Sequence, residues 1–171
     1  MKKVLFTLLL FSGLMAQAQT ELLISAGYGG ANVDVEAFGI HGTSDSTNAV
    51  SLGVGGLTTL SDHFKIDYGI AAGIATENFG ENWALGAGFG GRYYPTNGVF
   101  LRGGAGLGIS LSGSDPGYND ISITLGPGIG FDLSDSVTIL GGFSWQVNNA
   151  VDFDGVSAKA KGWNAGIQIK L

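Results

Sequence analysis

The chain contains no cysteine. Disulfides are therefore excluded, and so is a lipid anchor on a cysteine behind an export signal. Beyond the first residues there is no run of about 18 apolar residues, so the sequence offers no membrane-spanning helix. Charge is scarce, at 13% of residues, and the net formal charge is -6. An acidic, sparsely charged chain is a poor partner for nucleic acid. An exported chain without disulfides needs another source of stability, and a closed hydrogen-bonded sheet supplies one.

What is abundant is glycine, with 31 residues, and it is placed with a period of two. Trp163, Ala165, Ile167, Ile169 and Leu171 alternate with Asn164, Gly166, Gln168 and Lys170. Trp83, Leu85, Ala87 and Phe89 alternate with Ala84, Gly86, Gly88 and Gly90, and Ile121, Ile123, Leu125, Ile129 and Phe131 with Ser122, Thr124, Gly126, Gly128 and Gly130. A period of two means β-strand. A soluble barrel fills its interior with large side chains, which the glycine face does not provide. The bulky face therefore points outward, into lipid.

The first residues fit an export signal. Lys2 and Lys3 precede the apolar stretch Val4–Phe11 with Leu14 and Met15, and Ala16-Gln17-Ala18 supplies a cleavage site. The expected organisation is a signal peptide over 1–18 and one barrel domain over 19–171. Eight alternating segments are predicted near 21–31, 48–60, 64–76, 83–94, 99–112, 121–133, 136–147 and 161–171. The short connections between them are Ser61-Asp62-His63, Pro95-Thr96-Asn97-Gly98 and Ser134-Asp135, built from turn-forming residues. Longer ones run over 32–47, 77–82, 113–120 and 148–160. Strict alternation of long and short connections predicts an eight-stranded antiparallel up-and-down transmembrane barrel, with both termini and the short turns in the periplasm. On this layout Trp83, Trp145 and Trp163 anchor the extracellular interface, and Phe64, Tyr93 and Phe131 the periplasmic one. The segments Leu60–Ile66 and Leu133–Ile139 echo one another, which a shared turn requirement explains as well as a duplication.

These features resemble the small eight-stranded outer-membrane proteins, the group that includes OmpX and the membrane domain of OmpA. The style of signal peptide and the glycine-rich strands are most similar to Bacteroidetes barrels of the porin-family kind. The resemblance covers the whole mature segment and implies residence in the outer membrane of a Gram-negative cell, among lipid and lipopolysaccharide. The last strand resembles the signal read by the barrel-assembly machinery, although it ends in Leu171 rather than phenylalanine. The resemblance implies no single activity.

By phase, the inward charges are Glu21, Lys65, Asp67, Arg92, Arg102, Asp132 and Lys170, all towards the periplasmic end. Buried charges persist chiefly when paired, so these seven predict a charge network. The other half of the lumen is small and polar, including Ser51, Ser110, Thr124, Gln146 and Asn164. Two readings follow: a plug, in which long cations cross a narrow lumen to meet acids, or a narrow porin-like channel for small solutes with glycine leaving space above a constriction. Gly103-Gly104-Ala105-Gly106 lacks the strand–turn–helix context of a nucleotide site.

Acidic residues dominate the long connections: Asp34, Glu36, Asp45, Glu77, Glu81, Asp115, Asp120, Asp152 and Asp154. The simplest reading is a solvated rim, open to a surface ligand. Asp152-Phe153-Asp154-Gly155 only partly matches a calcium loop, so neither a metal nor a cofactor is expected. His41, with Ser44 and Asp45 nearby, is a candidate for lipid-modifying chemistry, in a connection expected to be flexible; no nucleophile spacing supports it. His63 falls in a periplasmic turn and is expected to be solvated. The sequence therefore favours a non-enzymatic barrel serving envelope integrity or surface interaction.

Overall fold

The computed structural model describes residues 20–77, 83–111, 121–149 and 155–171. The expected signal peptide over 1–18 lies outside the described residues. Nine strands are present among them: β1 Thr20–Ala37, β2 Ile40–Thr43, β3 Thr47–Ser61, β4 Phe64–Ala75, β5 Trp83–Thr96, β6 Val99–Ser110, β7 Ile121–Asp132, β8 Val137–Gln146 and β9 Val156–Lys170. All neighbours are antiparallel, and β1 also pairs with β9, which closes eight long strands into a barrel and leaves β2 as an appendage on β1. The predicted fold class holds, with one extra strand.

The register fixes the barrel's dimensions. Leu22 lies opposite Gly56, followed in turn by Tyr68, Phe89, Ala105, Leu125, Trp145, Lys161 and finally Asn32. One circuit therefore returns ten residues along β1 from Leu22 to Asn32. With eight strands this shear gives a tilt of about 40° and a radius of about 8 Å. An interior that narrow is crossed by a single arginine.

The outward face is the apolar one. Leu52, Ile70, Phe89, Leu107, Phe143 and Leu125 are all well exposed on the barrel's exterior. The largest packed cluster lies at the end bearing the short turns, where Leu23, Leu57, Tyr94 and Phe100 are buried with Arg92, Asp67 and Thr138. Two of those turns share a device. The hydroxyl of Ser61 accepts the Phe64 N–H, and that of Ser134 accepts the Val137 N–H, each at 3.1 Å. The echo between 60–66 and 133–139 thus has a local physical cause. In β7, Pro127 has no N–H to offer, and the ladder to β8 is interrupted there between Leu125 and Gly128.

The expected connection 32–47 is instead largely strand, and β9 takes in 156–160 of the expected connection 148–160. β1 runs to Ala37, β2 folds back on it, and β9 begins at Val156, so a three-stranded ribbon rises above the barrel from residues assigned to loops. The reason is a reversal of polarity without a change of phase. Inside the membrane span Leu22, Ile24 and Tyr28 face out. Further along, the same face carries Asn32, Asp34 and Glu36, while Val33, Val35 and Ala37 take the other side. A reading keyed to a bulky outer face stops where that face leaves the lipid, although the strand continues.

Candidate functional site: a charged lumen and an extracellular-type ribbon

Arg92 on β5 and Arg102 on β6 lie directly opposite each other. Asp67 on β4 stands one inward layer further from the short turns, level with Gly90 and Gly104. Both guanidinium groups reach to it. Arg92 Nε donates to Asp67 Oδ2 at 2.7 Å, while Arg102 grips the carboxylate side-on, Nε to Oδ2 at 2.9 Å and Nη2 to Oδ1 at 2.6 Å. Arg92 also donates from Nη2 to Gln168 Oε1 on β9 at 2.6 Å, and its Cζ sits 4.8 Å from the Phe100 ring centroid. Arg92 is fully buried.

Glycine makes this arrangement possible. A Cβ at Gly90 would fall 2.8 to 2.9 Å from Arg102 Nη2, Cζ and Nε, and one at Gly104 3.0 Å from Nη1. The guanidinium therefore lies flat across two glycines. The Phe100 ring rests on Gly130 in the same way, and any Cβ there would enter the ring.

The seven inward charges fall into groups. Arg92, Arg102 and Asp67 form the triad. Lys170 Nζ lies 3.4 Å from Asp132 Oδ1, and Asp132 also accepts from the Thr138 hydroxyl. Lys65 Nζ is 5.4 Å from the Tyr94 ring centroid, a cation–π placement. Glu21 stays apart, with Oε2 buried and without a partner among the described residues. Gln168, Thr138, Tyr94 and Phe100 complete the cluster, and charge alone did not reveal them. Their inward phase was the available signal. Asp67 is the hub: removing it would leave two guanidinium groups facing each other in a poorly hydrated space.

At the other end, the three tryptophans lie outward and half-exposed, and Tyr28 packs edge-on against Trp163 with centroids 5.7 Å apart. Phe64 and Tyr93 are opposed at the short-turn end, and Phe131 stands opposite Val99. The apolar belt thus carries aromatic rings at both edges.

Above the tryptophans, the ribbon's outer face is ionic. Lys161 Nζ contacts Asp34 Oδ2 at 2.7 Å, and the Thr43 hydroxyl donates to Asp34 Oδ1 at 2.9 Å; Lys161 and Thr43 together hold this carboxyl below its ordinary range. Where β9 outruns β8, side chains replace the missing strand. Asn149 Oδ1 accepts from Ala158 N at 2.6 Å, Asn149 Nδ2 donates to Val156 O at 3.0 Å, and Gln146 Oε1 accepts from Ala160 N at 3.2 Å. Gln146 is therefore a cap on a strand edge rather than a plain lining residue.

The His41 connection is ordered as β2, with His41 opposite Glu36 and its Nε2 3.8 Å from that carboxylate. Ser44 Oγ accepts from Val33 N at 2.9 Å and donates to Asp45 O at 3.0 Å, so its hydroxyl serves the turn. No hydrogen bond joins Ser44 to His41 among those described. His63 is exposed and also tied to β5, its Nδ1–H donating to Tyr94 O at 3.0 Å. Among the described residues no cluster of His, Asp and Glu could hold a metal. Glu81, Asp115, Asp120, Asp152 and Asp154 lie outside the described residues.

A closed antiparallel barrel with an apolar outer belt and aromatic edges is a transmembrane barrel of the outer-membrane type. Known structures share this architecture. Neisserial surface protein A matches with a TM-score of 0.57 at 15% identity, over 90% of this chain and 99% of that one. Ail, the attachment invasion locus protein of Yersinia pestis, solved with the heparin analogue sucrose octasulfate, matches with a TM-score of 0.52 at 17% identity, over 90% and 99%. A de novo designed transmembrane β-barrel matches at 0.53 and 16% identity, over 88% and 95%. These similarities concern the fold. No protein-family model matches the chain, and no curated protein does.

Proposed function

We propose that this is a non-enzymatic outer-membrane barrel whose lumen is sealed at the periplasmic end, and whose ribbon and long connections serve envelope integrity or surface interaction. The observation that carries the sealing is the Arg92–Asp67–Arg102 triad, with Arg92 fully buried and Leu57 and Phe100 packed to zero exposure beside it. A radius of about 8 Å leaves little room past such a layer. The barrel sits among lipid and lipopolysaccharide and reaches the membrane through the barrel-assembly machinery, which reads its last strand. Sulfated ligands of the kind bound by Ail fit this chain poorly, because acids outnumber bases in its long connections. In planar bilayers the purified protein is expected to give no stable conductance, whereas the Asp67→Ala, Arg102→Ala double variant gives one. Stable, sizeable single-channel conductance from the unaltered protein would establish the porin-like reading in its place.

A further inference from the structure

Beyond the triad the lumen is hollow. Three cavities of about 280, 380 and 290 Å³ adjoin one another there. Arg102 and Thr124 line the first two, Ser25 and Gln168 the second and third, and Asn164 the first and third. Among their described lining residues, Arg102 is the sole cation and Asp67 the sole acid. The rest of the wall is glycine, hydroxyl, amide and apolar carbon.

Arg102 is only half used by the protein. A guanidinium carries N–H groups along two edges. Asp67 occupies the side-on edge through Nε and Nη2. No described residue accepts a hydrogen bond from Nη1, and the side chain keeps 27% of its exposure in this space. Its plane is fixed by the glycine seats at 90 and 104. Charge adds a second argument. The seven inward groups are four bases and three acids, Glu21 among them at the level of Asp67, so this end of the lumen carries one positive charge in excess. Asp67 is shared by two guanidinium groups, and Asp132 is engaged by Lys170 and Thr138. In a low-dielectric lumen an unbalanced cation favours a counter-ion strongly. We propose that the hollow half of the lumen is a well that binds one small oxyanion, a carboxylate or a phosphate, on the end-on edge of Arg102, with the hydroxyls of Thr124, Ser122 and Ser25 on its walls. The acidic residues of the ribbon oppose this only weakly at depth. Arg102 lies eight residues of β6 below Ser110, about 26 Å of strand, whereas the ribbon carboxylates Asp34 and Glu36 stand above that end with exposed side chains, so their repulsion of an anion at Arg102 is weakened by distance and by water.

The test is amide NMR of the isotope-labelled protein folded in nanodiscs of zwitterionic lipid, titrated separately with sodium acetate and sodium phosphate against sodium chloride at matched ionic strength. Saturable shifts at Gly88, Gly106 and Thr124 with acetate or phosphate, beyond those with chloride, are expected, and the tighter of the two identifies the class. Arg102→Lys keeps the charge but loses the fork, and should weaken binding about tenfold, the worth of one charge-assisted hydrogen bond. Thr124→Leu fills the well without touching the triad and should abolish the shifts. Chloride-like behaviour of both oxyanions in the folded, unaltered protein overturns the site, as do saturable shifts that survive unchanged in both variants. Conductance is a separate readout. A non-conducting barrel without these shifts would leave the sealing intact and remove only the anion site.

Discussion

The residues that decide this interior are glycines seen through what lies on them. Gly130 has no freedom-demanding backbone angle; it is small because the Phe100 ring occupies the position of its Cβ. Gly130→Ala is therefore expected to destabilise the barrel by about 1–3 kcal/mol through overpacking, read from urea unfolding in lipid vesicles. Gly103, with nothing near its Cβ position, should accept alanine without measurable loss, which makes it the matched control. Asp67 is the opposite kind of residue, replaceable in shape but not in charge. Asp67→Asn keeps the volume and strips the triad of its only negative charge, and should cost about 3–5 kcal/mol, the usual penalty for breaking a buried pair. A loss below that of Gly130→Ala would mean that water already reaches the two guanidinium groups.

At the level of elements, the barrel strands were legible because one rule, bulky outside and small inside, holds along most of their lipid span, with Leu23, Leu57, Tyr94 and Phe100 at the packed end as the inward exceptions. The ribbon was not, because the rule inverts at the membrane edge: Val33 and Val35 share the phase of Leu23 and Ser25, and Asp34 takes the side held by Leu22 and Ile24. Charge partners were half legible for a similar reason. Phase put Asp67, Arg92 and Arg102 inside, but only the ten-residue shear brings Gln168 of β9 against Arg92. The edge of β9 depends on Asn149 and Gln146, so Asn149→Ala should speed hydrogen exchange at Ala158 and leave the lipid-span amides protected. Acid should loosen the ribbon as well. Asp34 has its carboxyl depressed by the Lys161 and Thr43 contacts, so its contribution is complete above the ordinary carboxylate pKa and is lost as pH falls through the lowered folded value. Exchange at Val33–Ala37 should rise over that acidic window, and Asp34→Asn should remove the pH dependence.

For the whole molecule, orientation follows from asymmetry along the barrel axis. One end has the short turns, two of them serine-capped, and a packed, charged interior; the other has the tryptophans, the hollow lumen and the ribbon. In barrels of this type the short turns face the periplasm, and a chain threaded from that side leaves its long connections outside. The packed end then meets the periplasm, and the hollow half of the lumen lies towards the exterior. The absence of native cysteine allows a direct test with single introduced thiols. His41→Cys lies on the exposed ribbon, and Ser134→Cys in an exposed short turn. On intact cells a membrane-impermeant maleimide should label the first and spare the second, and permeabilising the outer membrane should expose the second. Labelling of Ser134→Cys alone on intact cells would invert the barrel. The sealed layer would then face the medium and the well the periplasm, so any oxyanion it takes would have to come from inside the envelope.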